Sequence, residues 1–145
     1  METVRLIYSS RAFRHLDSRE INVIQECSHR LNSYCGVTGI LYFSNNYFLQ
    51  YLEGNETDVD RTYERITKDQ RHTDLKLVDH GAIKCRHFSE WAMAYVPESD
   101  KISTFLNKYT NDDRFNPHLL SAATTVELIF ELRSFLPDAH YDGAL

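Results

Sequence analysis

The chain has 145 residues, 42% of them apolar, with 16 lysines and arginines against 21 aspartates and glutamates. This length is enough for one globular domain with its own core. Nine tyrosines, eight phenylalanines and a tryptophan, with no low-complexity tract, exclude a disordered chain. Apolar runs such as residues 39–43 are far shorter than the roughly 20 residues that cross a bilayer, so we expect no membrane contact.

Charge and cysteine content narrow the class of protein further. A net charge of -5 disfavours direct nucleic-acid binding, because phosphate neutralisation needs clustered lysine and arginine. The N-terminal residues show no signal peptide, so we expect a cytoplasmic location. Cys27, Cys35 and Cys85 lack paired spacing, which favours free thiols and predicts no metal site.

The first two predicted elements are a strand and a helix. Alternation over residues 3–10 predicts a strand with Tyr8 on its apolar face. Asp17 as N-cap and Glu20 three residues later form a capping box, so a helix is predicted from near Ser18. Gly36 is expected to end this helix.

A hairpin, a second helix and two more strands are predicted next. Residues 37–44 and 47–53 are rich in β-branched and aromatic residues, with Asn45-Asn46 as the turn between them. After Gly54 comes a helix that ends near Asp69, with Val59, Tyr63 and Ile66 as its core positions. Further strands are predicted at residues 75–83 and 88–95, the latter placing Trp91, Met93 and Tyr95 on one face, and Pro97 closes the unit.

The order βαββαββ predicts a ferredoxin-like α+β fold with one added strand, two helices on one face, and a C-terminal helical extension. We place the division between residues 1–97 and 98–145. Apolar residues from Ile102 to Tyr109 predict one helix of the extension, and Pro117 opens a second segment that runs to about Leu136. Apolar residues cover over half of that segment's circumference, which predicts contact with a second copy or another protein.

Tyr8 and Gln50 form the first candidate pair. In a ferredoxin-like sheet the third strand lies beside the first, so these residues can be neighbours beneath the helices. A buried amide must find hydrogen-bond partners or cost about 1–3 kcal/mol. The pair by itself is also compatible with two core side chains that satisfy each other.

Polar residues of the two helices converge on the same groove. Ser28 and Asn32 are four residues apart on the first helix, Arg65 and Asp69 are four apart on the second, and His72 follows. Taken singly, Arg65 and Asp69 could be an exposed helix salt bridge. Together these groups suit a flat heteroaromatic ligand with many donors and acceptors.

Four segments resemble BLUF domains, the blue-light sensors that use FAD: LIYSS at 6–10, GVTGILYFSNNYFLQYLEG at 36–54, YERITKDQRH at 63–72 and FSEWAMAY at 88–95. The resemblance covers residues 2 to about 96. It implies that residues 1–97 are a flavin-binding photosensory domain and that residues 98–145 are a helical output extension. The tail resembles that of short family members without an attached enzymatic domain, so we expect no enzyme.

The resemblance also implies a cofactor site between the two helices. FAD is the implied cofactor, and the ring contacts would also accept FMN or riboflavin. Asn32 and Gln50 are implied to bond the polar edge of the ring, with Asp69 on the flavin and Arg65 toward its ribityl and phosphate region. The remaining implied lining residues are Ile24, Ser28, Phe48, Ile66 and His72.

By the same resemblance, blue light drives electron and proton transfer from Tyr8, and Gln50 then rearranges by rotation or tautomerisation. Trp91 or Met93 would transmit the change through the C-terminal helices to a protein partner or within a homo-oligomer. One alternative function is an acylphosphatase-type hydrolase, with Arg65 or Arg11 holding phosphate and Asn32 placing water. Another alternative is a light-inactive flavin-binding interaction module.

Overall fold

The computed structural model describes residues 2–96, 99–110 and 114–136. Pro97 and the predicted division between residues 97 and 98 lie outside the described residues. The elements in chain order are β1 Thr3–Ala12, α1 Ser18–Cys35, β2 Thr38–Ser44, β3 Tyr47–Asn55, α2 Glu56–Thr67, β4 His72–Ala82, β5 Ala94–Val96, α3 Asp100–Leu106, a 3-10 turn Pro117–Leu119 and α4 Ala122–Arg133.

The strands form a five-stranded mixed sheet in the order β4-β1-β3-β2-β5. Strand β3 lies between β1 and β2 and is antiparallel to both, and only the β2–β5 pair is parallel. This is the predicted ferredoxin-like α+β arrangement with one added strand. The β1–β3 register places Tyr8 directly opposite Gln50, as predicted.

Local sequence signals determine the ends of α1 and the β2–β3 turn. The Asp17 side chain accepts from the backbone N–H of Glu20 and the reciprocal bond is present, so the predicted capping box is confirmed. Gly36 ends α1 in the left-handed conformation, with φ 71°. Asn45 and Asn46 also have positive φ angles, 52° and 65°, which suit a two-residue hairpin turn.

Two hydrophobic cores lie on opposite faces of the sheet. The helix-side core, beneath α1 and α2, is built from Val4, Leu6, Tyr8, Ala12, Leu16, Ile21, Val37, Leu41, Phe43, Phe48, Leu52, Val59 and Met93. The tail-side core packs the other face against α3 and α4 and includes Ile7, Ile40, Tyr42, Leu49, Tyr51, Phe88, Ile102, Leu106, Phe115, Leu128, Ile129 and Leu132. The C-terminal helices therefore cover the sheet face behind the candidate site.

The segment after Pro117 is not one helix. Residues 117–119 form a 3-10 turn, and α4 begins only at Ala122, where the Ser121 side chain caps the helix by accepting from the N–H of Thr124. Leu128, Ile129 and Leu132 are buried in the tail-side core, and Phe130 and Phe135 are half-buried against it. The wide apolar surface of α4 is thus shared between the sheet and neighbouring aromatic residues of this chain.

The predicted strand at 88–95 is wrong in extent, because only Ala94–Val96 pairs with the sheet. The backbone N–H groups of His87 and Phe88 donate to the buried carboxylate of Glu53, at 2.9 and 2.6 Å. These amides are therefore unavailable to a strand ladder.

Trp91 and Met93 consequently do not share a face, contrary to the prediction. The chain bends at residues 92–93, which breaks the two-residue alternation of a strand. Trp91 packs against the tail-side core, whereas Met93 lies in the helix-side core and is 1% exposed.

Cys27, Cys35 and Cys85 are free thiols, as expected. Among the described helices, none combines the length and apolarity needed to cross a membrane. The described residues contain no cluster of three or more histidine, cysteine or acidic side chains that could hold a metal ion.

Candidate functional site

Three buried side chains are linked by hydrogen bonds across the helix-side face of the sheet. The Tyr8 hydroxyl donates to Gln50 Oε1, and Gln50 Nε2 donates to Met93 Sδ at 3.3 Å. Tyr8 is 4% exposed, Gln50 3% and Met93 1%. Because Gln50 has an acceptor on one side and a donor on the other, its orientation determines which partner receives which group.

Tyr8 is held as a neutral phenol. Burial raises its pKa well above the usual value, and the nearby negative charge of Asp69 acts in the same direction. The ring packs against those of Tyr63 and His72, with centroid distances of 5.7 and 6.2 Å. A neutral phenol can lose an electron and a proton together, whereas an ionised one could not donate the hydrogen bond to Gln50.

Several tyrosines have a raised pKa, and this makes the stability of the fold sensitive to alkaline pH. Burial raises the pKa of Tyr8, Tyr51 and Tyr63 above the usual value. Above about pH 10 the unfolded chain loses phenol protons that the folded chain keeps. We therefore expect the contribution of these tyrosines to the free energy of unfolding to stay constant up to about pH 10 and to fall steadily above it. Urea titrations from pH 8 to 11.5 measure this, and a flat profile to pH 11.5 would contradict it.

A cleft opens above Tyr8 and Gln50 between α1, α2 and the start of β4. Its wall contains Ile24 and Ser28 from α1, Phe48 from β3, and Ile66, Asp69 and His72 from α2 and the residues after it. The resemblance implied Asp69 as a flavin contact and the other five as lining residues, and the structure brings all six together around the Tyr8–Gln50 pair. Leu41 and Arg71 also line the cleft, and the sequence analysis did not identify them.

Asp69 pairs with Arg71 rather than with Arg65. Helix α2 ends at Thr67, so Arg65 and Asp69 do not share a helix face, and Arg65 is exposed outside the cleft wall. Arg71 donates from Nε to both Asp69 oxygens at 3.0 Å and from a terminal nitrogen at 2.5 Å. This guanidinium lowers the pKa of the Asp69 carboxyl, which keeps an acceptor and a cation at the cleft mouth.

His72 is fixed at both ring nitrogens. Its Nε2 lies 2.7 Å from the Ile66 carbonyl oxygen and its Nδ1 lies 2.7 Å from the Ser10 hydroxyl. A carbonyl only accepts, so Nε2 carries the proton, and in the neutral ring Nδ1 accepts from Ser10. The ring is therefore a rigid part of the cleft wall beside Tyr8.

Asn32 is a buried amide on α1. It is 1% exposed, yet both its amide oxygen and its amide nitrogen lack a hydrogen bond among the described residues. Ser28, one turn earlier on α1, lines the cleft. Asn32 itself is not among the residues that line the cleft. An unsatisfied buried amide costs about 1–3 kcal/mol, so a ligand that reaches Asn32 would find a free donor and a free acceptor.

Two further residues hold the Met93 segment in place, and the sequence analysis missed both. Gln25 Nε2 on α1 donates to the Met93 carbonyl at 3.1 Å. Glu53 is fully buried and also accepts from Thr38 and Tyr51 hydroxyls, each at 3.0 Å. A charged residue near the end of an otherwise apolar strand was the signal that could have identified Glu53.

The fold and the cleft define a ligand-binding domain whose buried phenol and amide face a site for a flat, hydrogen-bonding molecule. The chain belongs to the BLUF family, described as sensors of blue-light using FAD, which matches residues 3–94. It is thus a blue-light flavin sensor domain, with the Tyr8–Gln50 hydrogen bond present in the structure.

Similar proteins support this assignment. BlsA in its photo-activated state is 32% identical with a TM-score of 0.79, covering 90% of this chain and 94% of that one. The dark-state structure of the BLUF protein BlrB is 27% identical with a TM-score of 0.74, covering 92% and 96%. Photoactivated adenylate cyclase subunit beta of Euglena gracilis is 30% identical over an alignment of 122 positions, which covers 77% of this chain and 14% of that relative. This chain therefore spans a small part of that cyclase subunit.

The residues present fit a flavin. Its pyrimidine edge carries alternating carbonyl and N–H groups, and the two orphaned amide atoms of Asn32 supply the complementary donor and acceptor. Phe48, Ile24 and Ile66 give the apolar walls that a planar ring requires.

Asn32→Leu separates cofactor binding from folding. Removing an unsatisfied buried amide should leave the flavin-free protein as stable as the wild type or more stable, while the affinity for flavin falls. Thermal unfolding of the flavin-free protein and calorimetric flavin titration measure the two effects. An exposed-site control, Asn22→Leu on the same helix, should change neither. Unchanged flavin affinity in Asn32→Leu would remove Asn32 from the site.

Proposed function

We propose that this chain is a non-enzymatic blue-light photoreceptor that binds FAD without a covalent bond and switches through Tyr8 and Gln50. The observation that carries the proposal is the hydrogen-bonded series from the Tyr8 hydroxyl through Gln50 to Met93 Sδ, beneath a cleft whose lining residues suit a flavin. Asn32 and Asp69 are proposed as flavin ligands, with Asn32 on the polar edge of the ring. Arg71, which lines the cleft, joins this set. Arg65 is exposed outside the cleft wall and is proposed to reach only the ribityl and phosphate region.

When bound, the flavin supplies blue-light absorption and a nearby electron acceptor. Tyr8 is buried beside the cleft as a neutral phenol, so it can give up an electron together with its hydroxyl proton. Gln50 accepts from the Tyr8 hydroxyl and lines the same cleft, and its amide can relay that proton or rotate without backbone movement. When the electron and proton return to Tyr8, the amide is left in its second arrangement by rotation or tautomerisation.

Rotation of Gln50 would break the contact with Met93. In the rotated amide, Oε1 faces Met93 Sδ, and a thioether sulfur has no proton to donate. The 3.3 Å hydrogen bond from Nε2 is then lost and Met93 becomes free to move. Met93 is thus the proposed signal readout, and it immediately precedes β5. Trp91, which packs against Phe88 and lies 5.6 Å from the Arg133 guanidinium, is proposed to pass the change to α4.

The signal is proposed to leave through the C-terminal extension, residues 98–145, toward a protein partner or a second copy of the chain. Leu128, Ile129 and Leu132 of α4 lie buried against the sheet, so displacement of α4 would expose an apolar surface. Sedimentation in darkness and under blue light tests self-association. A monomer at high concentration in both conditions would rule out the homo-oligomer and leave the partner to be sought.

The visible spectrum of the purified protein in darkness and just after blue light tests the proposal. A flavin band that shifts slightly to the red and recovers in darkness is expected. Bound flavin without a shift would identify a light-inactive flavin-binding module. A protein that cannot be reconstituted with flavin would overturn the proposal.

The hydrolase alternative finds no support in the site. Arg11 is paired with Asp74 at 2.7 Å, Arg65 is exposed on α2, and Asn32 is buried within the helix-side structure. An acetyl phosphate hydrolysis assay is expected to give no turnover above buffer.

A further inference from the structure

A second cavity of about 320 Å³ adjoins the flavin cleft, between the β1–α1 loop and the first turns of α1. Its lining residues are Phe13, Arg14, Leu16, Arg19, Glu20, Val23, Ile24, Gln70 and Arg71. Ile24 and Arg71 belong to the walls of both spaces. The tail of a ligand that leaves the flavin cleft past these two residues therefore enters the second cavity.

The cavity is cationic although the chain as a whole is acidic. Three arginines line it against one glutamate, in a protein with a net charge of -5. Arg14 is engaged with Glu20 and Arg71 with Asp69. Arg19 is exposed and has no ion-pair partner among the described residues, so its charge is available to a ligand.

The same cavity also offers an aromatic surface. Phe13 lines this cavity and is 72% exposed, so its ring is accessible to a ligand. Leu16 and Val23 extend this apolar wall. A planar base could stack on Phe13 and bury surface that is otherwise in water.

We infer that this second cavity binds the adenosine diphosphate part of FAD, with Arg19 on the diphosphate and Phe13 against the adenine. The inference rests on the proposed FAD binding and assigns a role to the β1–α1 loop. A diphosphate carries two negative charges, which arginine binds through directed charge-assisted hydrogen bonds. The site would make the protein select FAD over riboflavin, because riboflavin has neither phosphate nor adenine.

Calorimetric titration of the flavin-free full chain with FAD, FMN and riboflavin tests the inference. We expect the wild type to bind FAD more tightly than riboflavin. Arg19→Gln should weaken FAD binding by about tenfold, the loss of one hydrogen bond to a charged group, and leave riboflavin binding unchanged. Phe13→Ala should weaken FAD binding and leave FMN binding unchanged, because FMN lacks the adenine.

Arg30→Gln is the matched control, since Arg30 is exposed on the same helix about 16 Å further along and lines a different surface pocket. It should change no affinity. Equal wild-type affinities for FAD and riboflavin would overturn the inference and leave flavin binding intact. Equal losses for FAD and riboflavin in Arg19→Gln would also overturn it. Failure of all three flavins to bind would instead overturn the proposed function itself.

Discussion

Gln50→Leu is expected to retain bound flavin and to show no light-induced red shift. Leucine has a similar size but neither a donor nor an acceptor, so the link between the Tyr8 hydroxyl and Met93 Sδ disappears. Asn32, Asp69 and the apolar cleft walls remain to hold the flavin. The measurement is the visible difference spectrum before and after blue light, at equal flavin occupancy.

The Gln50→Leu variant also leaves the buried Tyr8 hydroxyl without its acceptor, which should destabilise the fold by about 1–3 kcal/mol. Thermal unfolding checks that the variant is still folded at the temperature of the optical measurement. Asn22→Leu is the control, because Asn22 is exposed on α1 and belongs to the walls of neither the flavin cleft nor the second cavity. A full red shift in Gln50→Leu would remove Gln50 from the switch.

Tyr8→Phe is the second substitution with a large expected effect. It removes the phenol that gives up the electron and proton, while the ring remains in the helix-side core. We expect the red shift to disappear and the fluorescence lifetime of the bound flavin to lengthen, because its quenching electron donor is gone. Time-resolved fluorescence and the difference spectrum measure these two effects.

Tyr63→Phe is a matched control for Tyr8→Phe. The Tyr63 ring centroid lies 5.7 Å from that of Tyr8 in the same core, but Gln50 bonds only the Tyr8 hydroxyl of these two. Tyr63→Phe should keep the light-induced red shift and the short fluorescence lifetime of the bound flavin. If Tyr63→Phe lost the shift and Tyr8→Phe kept it, the assignment of the donor would be wrong.

Much of the site was predictable because its residues follow from strand and helix periodicity. The prediction that Tyr8 and Gln50 are neighbours required only the ferredoxin-like strand order, which the structure confirms, and the observed register places them directly opposite each other. Helical spacing placed Ser28 beside the groove and Ile66 in the core stripe of the second helix, and the resemblance implied both as lining residues. Both lie in the cleft wall. The capping box of Asp17 and Glu20 is a local signal that the structure reproduces.

The prediction for Arg65 shows where periodicity fails. Four-residue spacing from Arg65 to Asp69 indicates a helical pair only if the helix continues, and α2 ends at Thr67. The residue that meets Asp69 is Arg71, two positions beyond it in the chain. Its backbone N–H also donates to Asp69 at 2.9 Å, so a turn rather than a helix creates this pair.

The sequence by itself determined the fold class and the neighbourhood of Tyr8 and Gln50, because alternation and capping mark each strand and helix and the ferredoxin-like order places the third strand beside the first. Only the tertiary structure decided that Met93, not Trp91, meets Gln50. That choice depends on the buried Glu53 carboxylate, which binds the amides of residues more than 30 positions away. Such long-range hydrogen bonds leave no periodic signal, since they arise only when the sheet and the loop are packed together.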